Sequence, residues 1–203
     1  MKIYTLTPDQ VRSHNCIKVF WNSISEVELD LFAILLDKND KLIEDGDFVF
    51  YNSVSRTLPF DPEKWHSKAN WRNSTLPMSV DGSVYAIGEP MDDDNDGYWG
   101  EGMFIDLFRT RPEIHKIIFL LAVYDDGRAL KLNDIKHIKV SLGQDGFSEP
   151  LVSYKISDSF EDEKVISVCS LQKQSDNNWI VGKEVLIYND ISTLLDKIIA
   201  DKG

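Results

Sequence analysis

The densest run of chemically active side chains in the sequence is Asp92-Asp93-Asp94-Asn95-Asp96-Gly97-Tyr98-Trp99-Gly100-Glu101. Four carboxylates fall within five residues of it. Such charges repel one another unless a cation or water screens them. Asp92, Asp94 and Asp96 followed by Gly97 match the D-x-D-x-D-G opening of a calcium loop, in which alternate oxygens turn inward and glycine permits a sharp bend. The match stops short of an EF-hand. Its twelfth position is Met103, where a bidentate Glu is needed, and Glu101 stands two positions early. Strand-like segments rather than helices flank the loop. An EF-hand is excluded, and a calcium loop of another kind remains open.

Other acidic positions could complete a cation shell. Glu28 and Asp30 are separated by Leu29, so on a strand they share one face, while Leu29 and Leu31 take the opposite, core-directed face. Two carboxylates side by side on a strand are unfavourable without a cation to pair them. Asp45-Gly46-Asp47 precedes the run Phe48-Val49-Phe50-Tyr51-Asn52, and Asp81-Gly82 opens a later strand. From spacing alone, solvated turns account for these positions as well as a metal site does.

Motifs for covalent or redox chemistry are missing from the sequence. It has no Gly-x-Ser-x-Gly elbow, no Walker loop and no dinucleotide fingerprint. His14, His66, His115 and His137 are scattered without zinc spacing. A non-enzymatic protein is expected, with a metal-assisted hydrolase as a distant rival.

The elements that must position these residues are mostly strands. Ile17–Trp21, Val27–Leu36, Phe48–Tyr51, Ser83–Ile87, Met103–Phe108, Lys116–Tyr124, Ile135–Leu142, Leu151–Ile156, Lys164–Leu171 and Trp179–Ile187 are short runs rich in Val, Ile, Phe and Tyr. Most end in Gly, Asn or Asp. Asp125-Asp126-Gly127 reads as a hairpin turn. The pattern predicts a mainly β fold, a sandwich of two mostly antiparallel sheets, as a single domain over residues 1–203. One helix is expected within residues 190–203. Asp190 caps it, and Ile191, Leu194, Leu195, Ile198 and Ile199 form a stripe that packs on the sandwich.

Residues 53–80 break the rhythm. This long segment carries Pro59, Pro62 and Pro77, the bases Arg56, Lys64, Lys68 and Arg72, and the aromatics Phe60, Trp65 and Trp71. Loops of that length are uncommon and usually functional or disordered. Trp65 and Trp71 suit a partner-binding surface, and they equally suit a loop pinned to the sandwich edge.

Composition narrows the function classes. The chain has 203 residues, with 34 Asp and Glu against 22 Lys and Arg, for a net charge of −12. A surface that negative disfavours nucleic acid and attracts cations or basic partners. No apolar run approaches the roughly 20 residues of a membrane span, so direct membrane insertion is not expected. The first ten residues do not read as a signal peptide. Cys16 and Cys169 cannot build a disulfide framework and fit buried thiols in a reducing cytoplasm.

Several of these pieces, taken in order, resemble the tellurium-resistance TerD family. They are Glu28-Leu29-Asp30 leading into an apolar strand, Asp47-Phe48-Val49-Phe50-Tyr51-Asn52, Ser79-Val80-Asp81-Gly82-Ser83-Val84 and Gly88. An acidic loop with Glu101 follows, then Gly102–Leu107 and Lys116-Ile117-Ile118-Phe119 leading to Ala122-Val123-Tyr124-Asp125. The resemblance runs from about Ile17 to Tyr188. It implies a calcium-binding β-sandwich of the bacterial cytoplasm, without catalysis, from stress operons for tellurite, phage or colicin resistance. It also implies protein partners, membrane-associated ones among them.

Carried over residue by residue, the resemblance places Glu28 and Asp30 at the family's Asp-Leu-Asp. Asn52 stands at the end of its Phe-Tyr-Asn strand, and Asp81 in its Asp-Gly-Ser turn. Glu89 takes the Asp position of its Gly-Asp-Asn, and Glu101 the last Glu of its acidic loop. The expected metal set is thus Glu28, Asp30, Asn52, Asp81, Glu89, Asp92, Asp94, Asp96 and Glu101. Three departures stand out: Gly88-Glu89-Pro90 replaces Gly-Asp-Asn, the carboxylates of Met91–Gly100 come early, and residues 53–80 exceed the family's link.

Overall fold

The computed structural model describes residues 2–23, 29–57, 75–87, 91–93, 98–123, 131–144, 149–156, 160–175, 178–183 and 186–199. Through them run β1 (Lys2–Thr5), α1 (Pro8–Arg12), β2 (Asn15–Ser23), β3 (Leu29–Leu36), β4 (Phe48–Val49), β5 (Val84–Ala86), β6 (Met91–Asp93) and β7 (Tyr98–Ile105). Then follow β8 (Lys116–Val123), β9 (Ile135–Gln144), β10 (Val152–Ile156), β11 (Val165–Lys173), β12 (Trp179–Gly182), β13 (Ile187–Tyr188) and α2 (Ile191–Ile199). They form two antiparallel sheets. A seven-stranded sheet has the order β1-β12-β11-β8-β3-β4 with β13 also on β11. A six-stranded sheet has the order β10-β9-β2-β7-β5 with β6 also on β7. The expected sandwich with a C-terminal helix is therefore present.

Burial explains why β3 reads as almost wholly apolar. Leu29, Leu31, Ala33 and Leu35 enter the core between the sheets with Ile17, Val19, Met103, Ile105 and Phe119. The alternate residues Phe32, Ile34 and Leu36 enter a second core on the outer face with Leu120, Leu194 and Ile198. A strand covered on both faces loses the in–out alternation of a half-solvated one. The cover on the outer face is α2. Asp190 Oδ1 accepts from the Thr193 N–H at 2.7 Å, as expected of its cap. Burying Leu194 and Ile198 stabilises the helix by roughly 1.5–3 kcal/mol each.

Several boundaries differ from the sequence expectation. Trp179–Ile187 is not one strand: β12 ends at Gly182, and pairing resumes at Ile187 as β13. Phe48–Tyr51 yields only the two-residue β4, because Phe50–Ser53 closes a turn in which the Ser53 N–H donates to Phe50 O at 2.9 Å. Met103–Phe108 starts earlier, at Tyr98, and ends at Ile105. Asp125-Asp126-Gly127, read as a hairpin turn, lies outside the described residues; the strands on either side of it, β8 and β9, belong to different sheets. Helix α1 was legible but unread. Thr7-Pro8-Asp9-Gln10 is a capping box with proline in the first turn, in which the Thr7 N–H donates to Gln10 Oε1 at 2.8 Å.

Beyond β5 the six-stranded sheet continues through isolated bridges, Met78 to Tyr85 and then Arg56 to Pro77. The Thr57 N–H donates to Leu76 O at 2.9 Å, and the Met78 N–H to Ser55 O at 3.0 Å. These bonds close the base of the long segment expected at residues 53–80. Trp65 and Trp71 lie outside the described residues.

Candidate functional site

Glu101 sits on β7 opposite Val19, on the same face as the buried Met103 and Ile105, so strand alternation points its carboxylate between the sheets. There it meets an unprotected stretch of β3. Strand β4 covers only Ala33 and Ile34, and Leu31 lies past its end. The Leu31 N–H donates to Glu101 Oε2 at 2.7 Å, so a side chain takes the place of a missing strand neighbour. Burial pushes the Glu101 carboxyl up to about 7; the Leu31 N–H opposes that rise, and the nearby Asp30 adds to it. A shift of that size disfavours the ionised form by about 3 kcal/mol.

These residues border a cavity of about 380 Å³. Asp30, Leu31 and Glu101 line one part of it, Phe50 and Tyr51 another, and Arg56, Thr75, Leu76 and Pro77 the far side. Among the described residues, Thr75 and Tyr51 hold the Arg56 guanidinium. Its Nε donates to Thr75 Oγ1 at 2.7 Å, one Nη to Thr75 O at 2.7 Å and the other to Tyr51 O at 3.1 Å.

A second group of acids has a different arrangement. Asp47, with no exposed surface, accepts from Arg111 Nη2 at 2.6 Å on both carboxylate oxygens. Glu44 takes the other Nη of the same guanidinium. Asp81 Oδ2 accepts from the Arg111 backbone N–H at 3.0 Å. Asp81 Oδ1 accepts from Ser79 Oγ at 2.7 Å and from the Ser83 N–H at 2.9 Å. Gly82 completes that turn with φ +69°, the left-handed region that favours glycine. Burial pushes the Asp47 carboxyl up to about 6, and Arg111 opposes a further rise. Asp81 stays below the usual carboxylate range because its hydrogen bonds outweigh the effect of burial.

The structure thus places Asp30 and Glu101 in the lining of one cavity and Asp81 elsewhere, in the Arg111 group. Asn52 is exposed in the turn after β4, outside the cavity lining. Asp92 pairs with Trp99 across β6 and β7, which sets Asp92 and Asp93 on the strand beside the one that carries Glu101. Glu28, Glu89, Asp94 and Asp96 lie outside the described residues. Among the described residues, no three His, Cys, Asp or Glu side chains converge to hold an ion. Asp30 and Glu101 fit a hard cation as part of a shell. Both are oxygen donors, and calcium takes six to eight oxygens. Sequence reasoning missed Arg111 and the cavity. Arg109-Thr110-Arg111 was the available signal, since a paired base among so many acids needs carboxylates nearby.

The TerD domain family matches residues 63–183, and this chain belongs to that family. It is similar to the uncharacterised protein YceE of Bacillus subtilis (strain 168), 22% identical over 149 residues. That alignment covers 73% of this chain, and the chain spans only 65% of the relative's length. Among solved structures, SAV2460, a protein of unknown function, superposes with a TM-score of 0.60 at 14% identity, covering 91% of this chain and 95% of that one. SCO6318 of Streptomyces coelicolor A3(2), a homologue of the telluride resistance protein TerD, gives a TM-score of 0.58 at 14% identity over 90% and 94% of the two chains. At such identities these two likenesses carry the fold alone. No helix among the described residues is long and apolar enough to cross a membrane.

Proposed function

We propose that this chain is a non-catalytic, calcium-binding stress-response protein of the tellurite-resistance type, working in the cytoplasm with protein partners. Glu101 and Asp30 supply the interior part of the calcium shell. Glu28 and the acidic run of Asp92, Asp94 and Asp96 supply the rest. The observation that carries this reading is the half-buried Glu101 carboxyl, which shares a cavity with Asp30, accepts from the Leu31 N–H and is pushed up to about 7 by desolvation. A divalent ion there would favour the ionised form and order the acidic loop. Asp81 takes no part in this shell, because Ser79, Ser83 and Arg111 already engage it. Calorimetric titration of chelator-stripped protein with calcium, and with magnesium as control, tests the proposal. Micromolar or tighter calcium binding that Glu101→Gln weakens supports it, and the absence of calcium heat sinks it.

A second reading rests on the closed base of the long segment. The bonds between Thr57 and Leu76 and between Arg56 and Thr75 tether both ends of residues 58–74. In this metal-independent reading Trp65 and Trp71 form the partner surface. Trp65→Ala and Trp71→Ala then abolish partner capture and leave calcium affinity and melting temperature unchanged; a loss of folding instead makes the segment structural.

A further inference from the structure

Three apolar side chains stand out from the turns that Arg111 joins. Val54 is 92% exposed, Phe108 74% and Val80 42%. Those turns are fastened to one another. Arg111 engages Glu44 and Asp47 through its guanidinium and Asp81 through its backbone N–H. A Cβ on Gly46 would run into the Val80 side chain and come within 3.4 Å of Ser55 Oγ, so the turns carrying Val80 and Val54 meet over one bare glycine. The Arg109 guanidinium, next to Phe108 in the chain, lies over Gly82, two residues from Val80. Val54 follows a buried anchor: the Ser53 hydroxyl accepts from the Phe50 N–H at 2.9 Å and donates to Phe48 O at 3.1 Å. Isolated apolar residues are ordinary on a surface, whereas several fixed on adjoining turns mark an interaction site. The charge of these turns has one predominant sign. Residues 43–47, 51–56, 79–83 and 106–113 hold the acids Glu44, Asp45, Asp47, Asp81, Asp106 and Glu113 against only Arg56, Arg109 and Arg111. Asp45, beside Gly46, and Glu113 are exposed.

We propose that this end of the sandwich docks a basic amphipathic segment of a partner protein. The apolar side chains of that segment lie on Val54, Val80 and Phe108, and its Lys or Arg side chains reach toward Asp45 and Glu113. Burial of the three exposed side chains supplies affinity, and the acidic surroundings select the sign of the partner. A second copy of this chain would bring the same acids against themselves in a two-fold contact. Nucleic acid and anionic lipid are repelled for the same reason. A basic segment is the occupant that complements both the apolar side chains and their charged border.

This inference rests on the proposed function only for the existence of a protein partner, and it uses neither the calcium ligands nor Trp65 and Trp71. It is tested by fluorescence anisotropy on the full chain with a labelled Leu/Lys peptide patterned as an amphipathic helix. A peptide of the same composition, shuffled to abolish its apolar face, measures attraction by charge alone. The patterned peptide is expected to bind about tenfold or more tighter than the shuffled one. Val54→Ser combined with Phe108→Ser is expected to lower its affinity about tenfold and to leave the melting temperature unchanged, since both side chains are exposed. Phe108→Ser alone carries the same expectation with a smaller loss, so a folding defect in the double variant does not end the test. Asp45→Lys combined with Glu113→Lys is expected to weaken the Leu/Lys peptide and to strengthen a patterned Leu/Glu peptide. Equal affinity for the shuffled peptide, or unchanged affinity in the Val54 and Phe108 variants, overturns the proposal. A loss confined to Trp65→Ala and Trp71→Ala assigns the partner to the long segment and also overturns it. So does a dimer of the unaltered chain that Phe108→Ser dissociates, which makes this end an interface between copies. All titrations are run in chelator, so their outcome is independent of the calcium titration.

Discussion

Arg111 gathers Glu44, Asp47 and Asp81 at one place in the sandwich, while past the end of β4 Glu101 takes the Leu31 N–H and has Asp30 as its neighbouring charge. Both places shield carboxylates from water. In the first, a guanidinium from the same chain compensates them, and the turns at 45–47, 79–83 and 106–111 are joined as a result. In the second, the hydrogen-bond partner among the described residues is a backbone N–H, and Asp30 is a neighbouring charge of the same sign. A folded protein can hold an ionised carboxylate out of water when it supplies its own cation. Where it does not, the site is poised for a cation from outside. The Arg111 group is thus compensated within the chain, and the Glu101 group is the one proposed to take a cation.

The largest expected effect is on the Arg111 side. Arg111→Met leaves Asp47 buried without its guanidinium and should destabilise the protein by about 3–5 kcal/mol in urea unfolding. Glu101→Gln should do the opposite in metal-free protein. The amide oxygen can still accept from Leu31 while the disfavoured charge is gone, so the urea midpoint at pH 8 should rise. If both substitutions destabilise alike, the contrast between the two regions is broken.

The next effect is a pH dependence. Glu101 titrates near 7 when folded, against 4.5 for the unreserved side chain, so the folded state holds its proton more tightly. The Glu101 contribution to metal-free stability is then fully present below about 4.5 and is lost as pH rises through 7, about 3 kcal/mol in all. Asp47, raised to about 6, adds a loss of the same sign at lower pH, between 3.8 and 6. The slope between pH 6 and 8 should vanish in Glu101→Gln and flatten when calcium is saturating. Urea midpoints measured at steps across this range decide it.

A smaller effect sharpens the Glu101 side. Asp94→Asn combined with Asp96→Asn should weaken calcium about tenfold or more, because ligand charge sets affinity in such loops. Unchanged affinity would make that run a solvated turn and leave Glu101 and Asp30 without their expected helpers. The smallest effect belongs to the Arg111 side. Ser79→Ala removes the hydroxyl that donates to Asp81 and accepts from the Val84 N–H, at a loss of about 1 kcal/mol in thermal unfolding with no change in calcium affinity.

Much of this was legible along the chain. The β-branched and aromatic runs announced the strands, Asp190 announced the cap of α2, and the spacing of Leu194 and Ile198 announced its buried face. The Glu28-Leu29-Asp30 alternation correctly set Leu29 and Leu31 toward the core. Local periodicity could not say which strands share a sheet, and β8 and β9, neighbours in the chain, lie in different ones. It also could not find Arg111, which meets Asp47 and Glu44 from more than sixty positions away.

What the sequence determined by itself was the inventory: a mainly β sandwich, an excess of acid that must be screened, and acidic runs placed at strand ends. Neighbours along a chain dictate strand propensity, capping and face, and those are local interactions. What only the tertiary structure decided was which acids are already compensated. Asp81 and Glu101 look alike as isolated carboxylates beside strands. The packing of the loop at 106–111 brings the Arg111 backbone N–H, with its guanidinium nearby, to one, and past the end of β4 the other takes the Leu31 N–H. That difference arises from contacts 30 and 70 residues apart, which chain order alone does not encode.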